Sequence, residues 1–189
     1  MDHEAEARQK ARDYLRTRGT LVAPSLIQER VAAAFAALES FLDSVPPEMV
    51  GRRAIPGEWT IQEVVDHLVE THRPGLDELR CLLAGQRPPG EPIPASLQSK
   101  APLLRPWPWL RGELTRVHGD IVDALARVRE DLATEARAPL VMVANVPRDG
   151  GELVPLHWVE ELDWKAYAIV WRLHVLDHLN QAKKVRAAL

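Results

Sequence analysis

One apolar seam near the end of the chain constrains the fold more than any other feature. Trp164, Ala168, Trp171, Val175, His178, Ala182, Val185 and Leu189 recur at alternating spacings of four and three, the pattern of a helix packed in a bundle. An α-helix advances about 100° per residue, so side chains four positions apart share nearly one face. His174 and His178 therefore stack one turn apart, with Tyr167 and Trp171 above them and Gln181 below. Two imidazoles at that spacing on an apolar face can share one metal ion. They can also be core or interface histidines satisfied by hydrogen bonds.

Three further long helices are predicted. Ile27, Val31, Ala34, Phe35, Leu38, Phe41 and Leu42 keep helical spacing over 26–43, with a Ser25–Gln28 capping box before them and Pro46-Pro47 after. A second helix opens at Thr60. Thr60 and Glu63 form a capping box, Trp59 and Val64 a hydrophobic staple, and Ile61, Val64, Val65 and Leu68 the inward stripe. His67 borders that stripe and His72 can also face inward, while Pro74-Gly75 is expected to kink or interrupt the helix. The third helix is predicted over 110–133, with His118 beside its stripe as a boundary or core histidine.

The connections are as informative. Seven prolines between 87 and 108 predict a stiff, extended crossover whose end, Pro106-Trp107-Pro108-Trp109, packs over a cavity mouth. Over 139–156, L-V-M-V-A-N-V, the turn signal R-D-G-G and E-L-V predict a small β-hairpin, the alternative being an irregular loop. The last helix is placed from Pro155–Trp158 onward, with Glu160, Glu161 and Asp163 in its first turns and Lys183, Lys184 and Arg186 in its last. Residues 1–20 favour a short accessory helix ended by Gly19, though the apolar stripe is thin enough for a frayed tail. The expectation is an all-α, four-helix bundle over 25–187 within one domain of 189 residues.

Composition narrows the function. A net charge of -3 leaves no general basic field, so a nucleic-acid partner is not expected. No stretch approaches a membrane span, and the acidic N-terminus lacks the apolar run of a signal peptide. Cys81 is the only cysteine, which excludes an internal disulfide framework and suits a reducing, cytoplasmic setting.

Facing helices of a bundle can bring a third ligand to His174 and His178, and His67 is the best candidate. Three neutral imidazoles leave coordination positions open, the pattern of a catalytic rather than a structural site.

The stretch Trp59-Thr60-Ile61-Gln62-Glu63-Val64-Val65-Asp66-His67-Leu68 resembles the W-[ST]-x-x-E-x-x-x-H-[LI] motif of the DinB/YfiT-like superfamily. His174-Val175-Leu176-Asp177-His178-Leu179-Asn180-Gln181 is similar to that superfamily's last-helix H-x-x-x-H motif, with its frequent downstream Gln. The resemblance implies an up-down-down-up bundle and a divalent metal held by His67, His174 and His178. It implies a metal-dependent enzyme, of S-transferase or hydrolase type, that activates a thiol or water against a small-molecule substrate. The family includes enzymes that use low-molecular-weight thiols such as bacillithiol or mycothiol, many members have no established activity, and bundles of the family often pair as homodimers. Zn, Ni, Co, Mn and Fe are all admissible ions. The rival reading is a non-catalytic bundle with structural histidines that serves as a binding module.

Other residues have bland explanations beside functional ones. Glu63 can support His67 but is already explained by capping. Gln181 can hydrogen-bond a ligand imidazole or a metal-bound water. Tyr167 and Trp171 are read as core, with the Tyr167 hydroxyl able to face the cavity. Asp177 is read as a solvent or interhelical salt-bridge residue, Cys81 as a buried structural thiol, and His157 as an exposed residue at the start of the last helix.

Overall fold

The computed structural model describes residues 3–148 and 151–189. Met1, Asp2, Asp149 and Gly150, and with them the centre of the expected R-D-G-G turn, lie outside the described residues. Five helices, α1 (His3–Leu15), α2 (Pro24–Asp43), α3 (Ile61–Leu83), α4 (Trp107–Ala126) and α5 (Trp164–Ala187), are joined by an antiparallel hairpin of β1 (Ala138–Pro147) and β2 (Leu153–Leu162).

Helices α2 to α5 form the bundle. Helix α2 packs on α5 and α4, and α3 packs on the same two, so successive helices α2 and α3 occupy opposite corners. The seam of α5 is buried from Trp164 through Val185 except at His178, which is half-buried. Helix α1 continues through a π-helical stretch, Arg16–Thr20, and lays Gly19 against the start of α5. A Cβ on Gly19 would stand 3.0 Å from the Ala166 Cα, so the two backbones meet there only because the side chain is missing.

Several boundaries differ from expectation for local reasons. Helix α2 has no Ser25 cap: Pro24 occupies the first turn and Ala23 is the N-cap, because proline's fixed φ and missing N–H suit that position. The Ser25 N–H is instead taken by Glu130, whose loop crosses this helix end. Helix α3 passes through Pro74 without interruption. Helix α4 begins earlier than predicted because Pro108 sits in its first turn, where proline is tolerated. The Trp107–Trp109 segment is thus helical rather than a flap over a cavity, and Trp109 lies exposed under the Arg105 guanidinium.

The largest correction lies before α5. The last helix does not open near Pro155; it opens at Trp164, with the Asp163 carboxylate accepting from the Ala166 N–H at 2.9 Å. Leu156, Trp158 and Leu162 are buried while His157, Val159 and Glu161 are exposed, a period of two that belongs to a strand. Glu160 and Glu161 therefore sit in β2 and pair with Arg12 and Arg87. The paired strands run from Ala138↔Leu162 to Pro147↔Leu153, longer than the predicted hairpin.

Candidate metal centre

Helix α3 brings His67 to the site under tight local control. The Thr60 hydroxyl accepts from the Glu63 N–H at 3.1 Å and the Glu63 carboxylate accepts from the Thr60 N–H at 2.6 Å, the reciprocal cap that the sequence pattern predicts. Its next turns are buried on every side, including the polar Gln62, Glu63 and Asp66. The proline-rich crossover covers them. Asp66 accepts from the Ser99 N–H at 2.8 Å and the Ser99 hydroxyl at 2.7 Å, and it meets Arg105 at 3.3 Å. Gln62 donates to the Pro102 and Arg105 carbonyls, and Gln98 donates to the Glu63 carbonyl. So anchored, the crossover presents the Leu97 carbonyl 2.7 Å from His67 Nδ1.

Helix α5 supplies the other two imidazoles. His67 Nε2 lies 2.9 Å from His174 Nε2, and His178 Nε2 lies 3.1 Å from the same atom. All three ligand atoms fall within 4.8 Å of one another. Each far ring nitrogen has its own partner. A carbonyl only accepts, so His67 carries its proton on Nδ1. His178 Nδ1 lies 2.8 Å from Gln181 Oε1, and His174 Nδ1 lies 3.2 Å from His72 Nε2. With Nδ1–H donated by His67 and His178, their Nε2 lone pairs face His174 Nε2, and a His174 protonated on Nδ1 would turn a third bare Nε2 to the same point.

Burial keeps these rings neutral. It lowers the pKa of His67, against the Leu97 carbonyl's pull upward, and drives His174 well below the ordinary histidine value, helped by His178 and His67. His178 is pushed down to about 4 by burial and then by His67. Neutral imidazole is the ligand form. Three lone pairs in van der Waals contact repel unless a cation lies among them, so the donor set fits a divalent ion.

The Trp59 ring covers the triad, 5.0 Å from the His67 ring and stacked 5.9 Å from His178. On the other side a cavity of about 560 Å³ opens, with His174, His178, Trp171 and Thr71 on its helical wall and Met142 and Val143 of β1 opposite.

A sequence model of the DinB superfamily matches residues 30–182. The chain belongs to the DinB superfamily. Its fold is similar to that of YfiT from Bacillus subtilis, described as a probable metal-dependent hydrolase with an unusual four-helix bundle topology. The identity is 18%, the match covers 86% of this chain and 85% of that one, and the TM-score is 0.59. TT2238, a four-helix bundle protein, aligns at 16% identity over 85% of this chain and 98% of its own, with a TM-score of 0.49. No curated protein matches the chain.

Around these three histidines the remaining candidates divide. Gln181 reaches His178, as above. The Glu63 carboxylate does not reach His67, because Thr60 and Arg53 take its oxygens. The buried Tyr167 hydroxyl donates to Glu78 Oε2 at 2.5 Å, and Glu78, not Tyr167, lines the cavity. Burial raises both pKa values, that of Tyr167 well above the phenol range with Glu78 adding to it. Trp171 lines the cavity with a buried indole N–H that has no partner among the described residues. Asp177 makes no salt bridge among the described residues; it lines the cavity mouth, where burial raises its pKa. Cys81 is half-buried rather than buried, and His157 is exposed on β2. His72, which the sequence places only as able to face inward, is fully buried and touches His174. Its position five residues after His67 gave no ligand spacing by which to find it.

Proposed function

We propose that the protein is a divalent-metal-dependent enzyme in which His67, His174 and His178 hold the ion. The observation that carries this reading is the convergence of three Nε2 atoms, with the outer Nδ1 of His67 and of His178 each held by an acceptor oxygen. A bound ion supplies Lewis acidity, activating water or a low-molecular-weight thiol for attack on an electrophile. The protein's own contribution is shape and exclusion. Trp59 closes one side of the triad, so a substrate reaches it from the cavity side.

The cavity supports a substrate class. Its walls are largely apolar, and among the described residues Glu78 and Asp177 are its only carboxylates and no Lys or Arg lines it. A neutral or cationic small molecule fits that charge balance better than an anion. In this reading the bundle runs up-down-down-up, consistent with α2 and α3 on opposite corners. All three ligands come from α3 and α5 of one chain, so the homodimer implied by the family resemblance is not needed to build the site. Light scattering on the purified protein tests that dimer separately.

Elemental analysis of the untagged wild type beside His67→Ala and His178→Ala tests the proposal. About one equivalent of a divalent metal, lost in both variants, is the expected result. Hydrolase and thiol-transfer assays on the loaded protein then separate water from thiol as nucleophile. A wild type that stays metal-free when offered Zn, Ni, Co, Mn and Fe overturns the proposal and leaves a non-catalytic bundle with structural histidines.

A further inference from the structure

The triad is one end of a longer line of buried polar groups that crosses the bundle core. His174 Nδ1 lies 3.2 Å from His72 Nε2, His72 Nδ1 lies 3.2 Å from His118 Nε2, and His118 Nδ1 lies 3.3 Å from Glu39 Oε1. The four residues come from α5, α3, α4 and α2, one from each bundle helix. His72 and His118 are buried, and Phe35 stacks on the His118 ring at 3.9 Å. His118 Nδ1 and Glu39 Oε1 make no regular hydrogen bond among the described residues; the 3.3 Å approach to each other is the polar contact they share.

Each link of such a line depends on the one before. A neutral imidazole donates from one nitrogen and accepts at the other, so the two rings and the ligand must all point the same way. The direction is decided at the ends. An ionised Glu39 can only accept, whereas a protonated one could also donate. Burial opposes ionisation, but His118 and Arg111 hold its carboxyl below the usual range. Arg111 at 3.0 Å and Thr115 at 3.1 Å anchor the other oxygen, Oε2. Hence the carboxylate favours the His118 proton on Nδ1, 3.3 Å away, which leaves Nε2 to accept from the Nδ1–H of His72. His72 in turn accepts at Nε2 from the Nδ1–H of His174. The reversed line would set a bare His118 nitrogen against a carboxylate and put a proton on His174 Nε2, between the ligand atoms.

We propose that Glu39, acting through His118 and His72, is a positioning residue that fixes the tautomer of His174 and so turns its Nε2 lone pair to the metal. This rests on the metal reading above for its purpose, but the tautomers can be read without any metal. Residues that hold the outer nitrogen of a ligand imidazole typically change metal affinity 10- to 100-fold when removed. Here the outer partner is itself an imidazole, so the carboxylate acts from two rings away.

The test is nitrogen-15 NMR of the imidazoles in metal-free protein, together with zinc affinity by chelator competition. In wild type, His72, His118 and His174 are each expected as the Nδ1–H form. Glu39→Gln introduces an amide that can donate to His118, so an Nε2–H population should appear at His174 and zinc should bind about tenfold more weakly or worse. His72→Gln restores an acceptor near His174 and should keep zinc affinity within about threefold of wild type, whereas His72→Leu should lose tenfold or more. An Nε2–H form of any of the three rings in wild type overturns the proposal. So does a folded Glu39→Gln whose tautomers and zinc affinity match wild type, or equal zinc affinity in His72→Gln and His72→Leu. A wild type that shows the three Nδ1–H rings yet binds no metal supports the relay and counts against the metal reading alone.

Discussion

The Trp171 indole lies directly on the backbone of Gly75. A Cβ built on Gly75 would stand 2.4 Å from Trp171 Cζ2, well inside contact distance, so α3 and α5 meet at a point where no other residue fits without movement. The same ring packs edge-on against His72 at 4.5 Å and against His174 at 5.5 Å between centroids. Close helix packing and the placement of the histidine line are thus one structural fact.

Gly75→Ala follows from that contact. The added methyl must push Trp171 away, and overpacking of this kind costs about 1–3 kcal/mol. Urea unfolding should show the loss, and zinc affinity should fall with it because Trp171 supports His72 and His174. An alanine variant as stable as wild type would show that the indole moves freely.

Asp66 is wholly buried and anchors the crossover through Ser99 and Arg105. Asp66→Ala leaves those donors unpaired, which should cost about 3 kcal/mol. Because the crossover carries the Leu97 carbonyl to His67, hydrogen exchange at Ser99 should quicken and metal affinity should drop. Unchanged exchange would mean that the prolines alone hold the loop.

Gln181→Leu removes the acceptor for His178 Nδ1 but touches little of the core. Zinc affinity should weaken about 10- to 100-fold. Thermal stability of the metal-free protein should change little. Gln181→Glu keeps an acceptor and should restore binding, a contrast that isothermal titration can read.

Acid should destabilise the metal-free protein early. Burial holds His67, His72, His118, His174 and His178 below the ordinary histidine value, His178 at about 4. As pH falls through about 6.5 the unfolded chain takes up protons that the folded chain refuses. The unfolded state then binds more protons, so stability falls with falling pH, in the case of His178 until its folded value of about 4 is reached. Each such histidine contributes about 1.4 kcal/mol per pH unit inside its window. Thermal unfolding between pH 7.5 and 4.5 should show a steep decline that begins near 6.5. A flat profile to pH 5 would mean that the histidines are hydrated.

Much of the site was legible because its parts are local. The Thr60–Glu63 cap sets where α3 begins, and with it the face on which His67 emerges two turns later. His174 and His178 share a face by helical arithmetic alone. Glu39 and His118 had no such signal, since each lies singly on a different helix. Their meeting depends on how α2, α3, α4 and α5 are rotated and spaced in the core. The acids before α5 misled because Glu160 and Glu161 suit a helix start by charge. Their strand follows from the alternation of Leu156, Trp158 and Leu162 and from pairing with residues 138–147.

From its sequence alone the chain determined its helices, the seam of α5, the hairpin before it and the two histidine motifs, because caps, turns and periodicity act over a few residues. Tertiary structure alone decided that Asp66 would be buried under the crossover and that Gly75 would receive Trp171. It alone decided that Glu39 would stand at the far end of a histidine line. Those contacts join residues 33 to 96 positions apart, and only close packing of the bundle, where one methyl group is too much, brings them to hydrogen-bond and van der Waals distance.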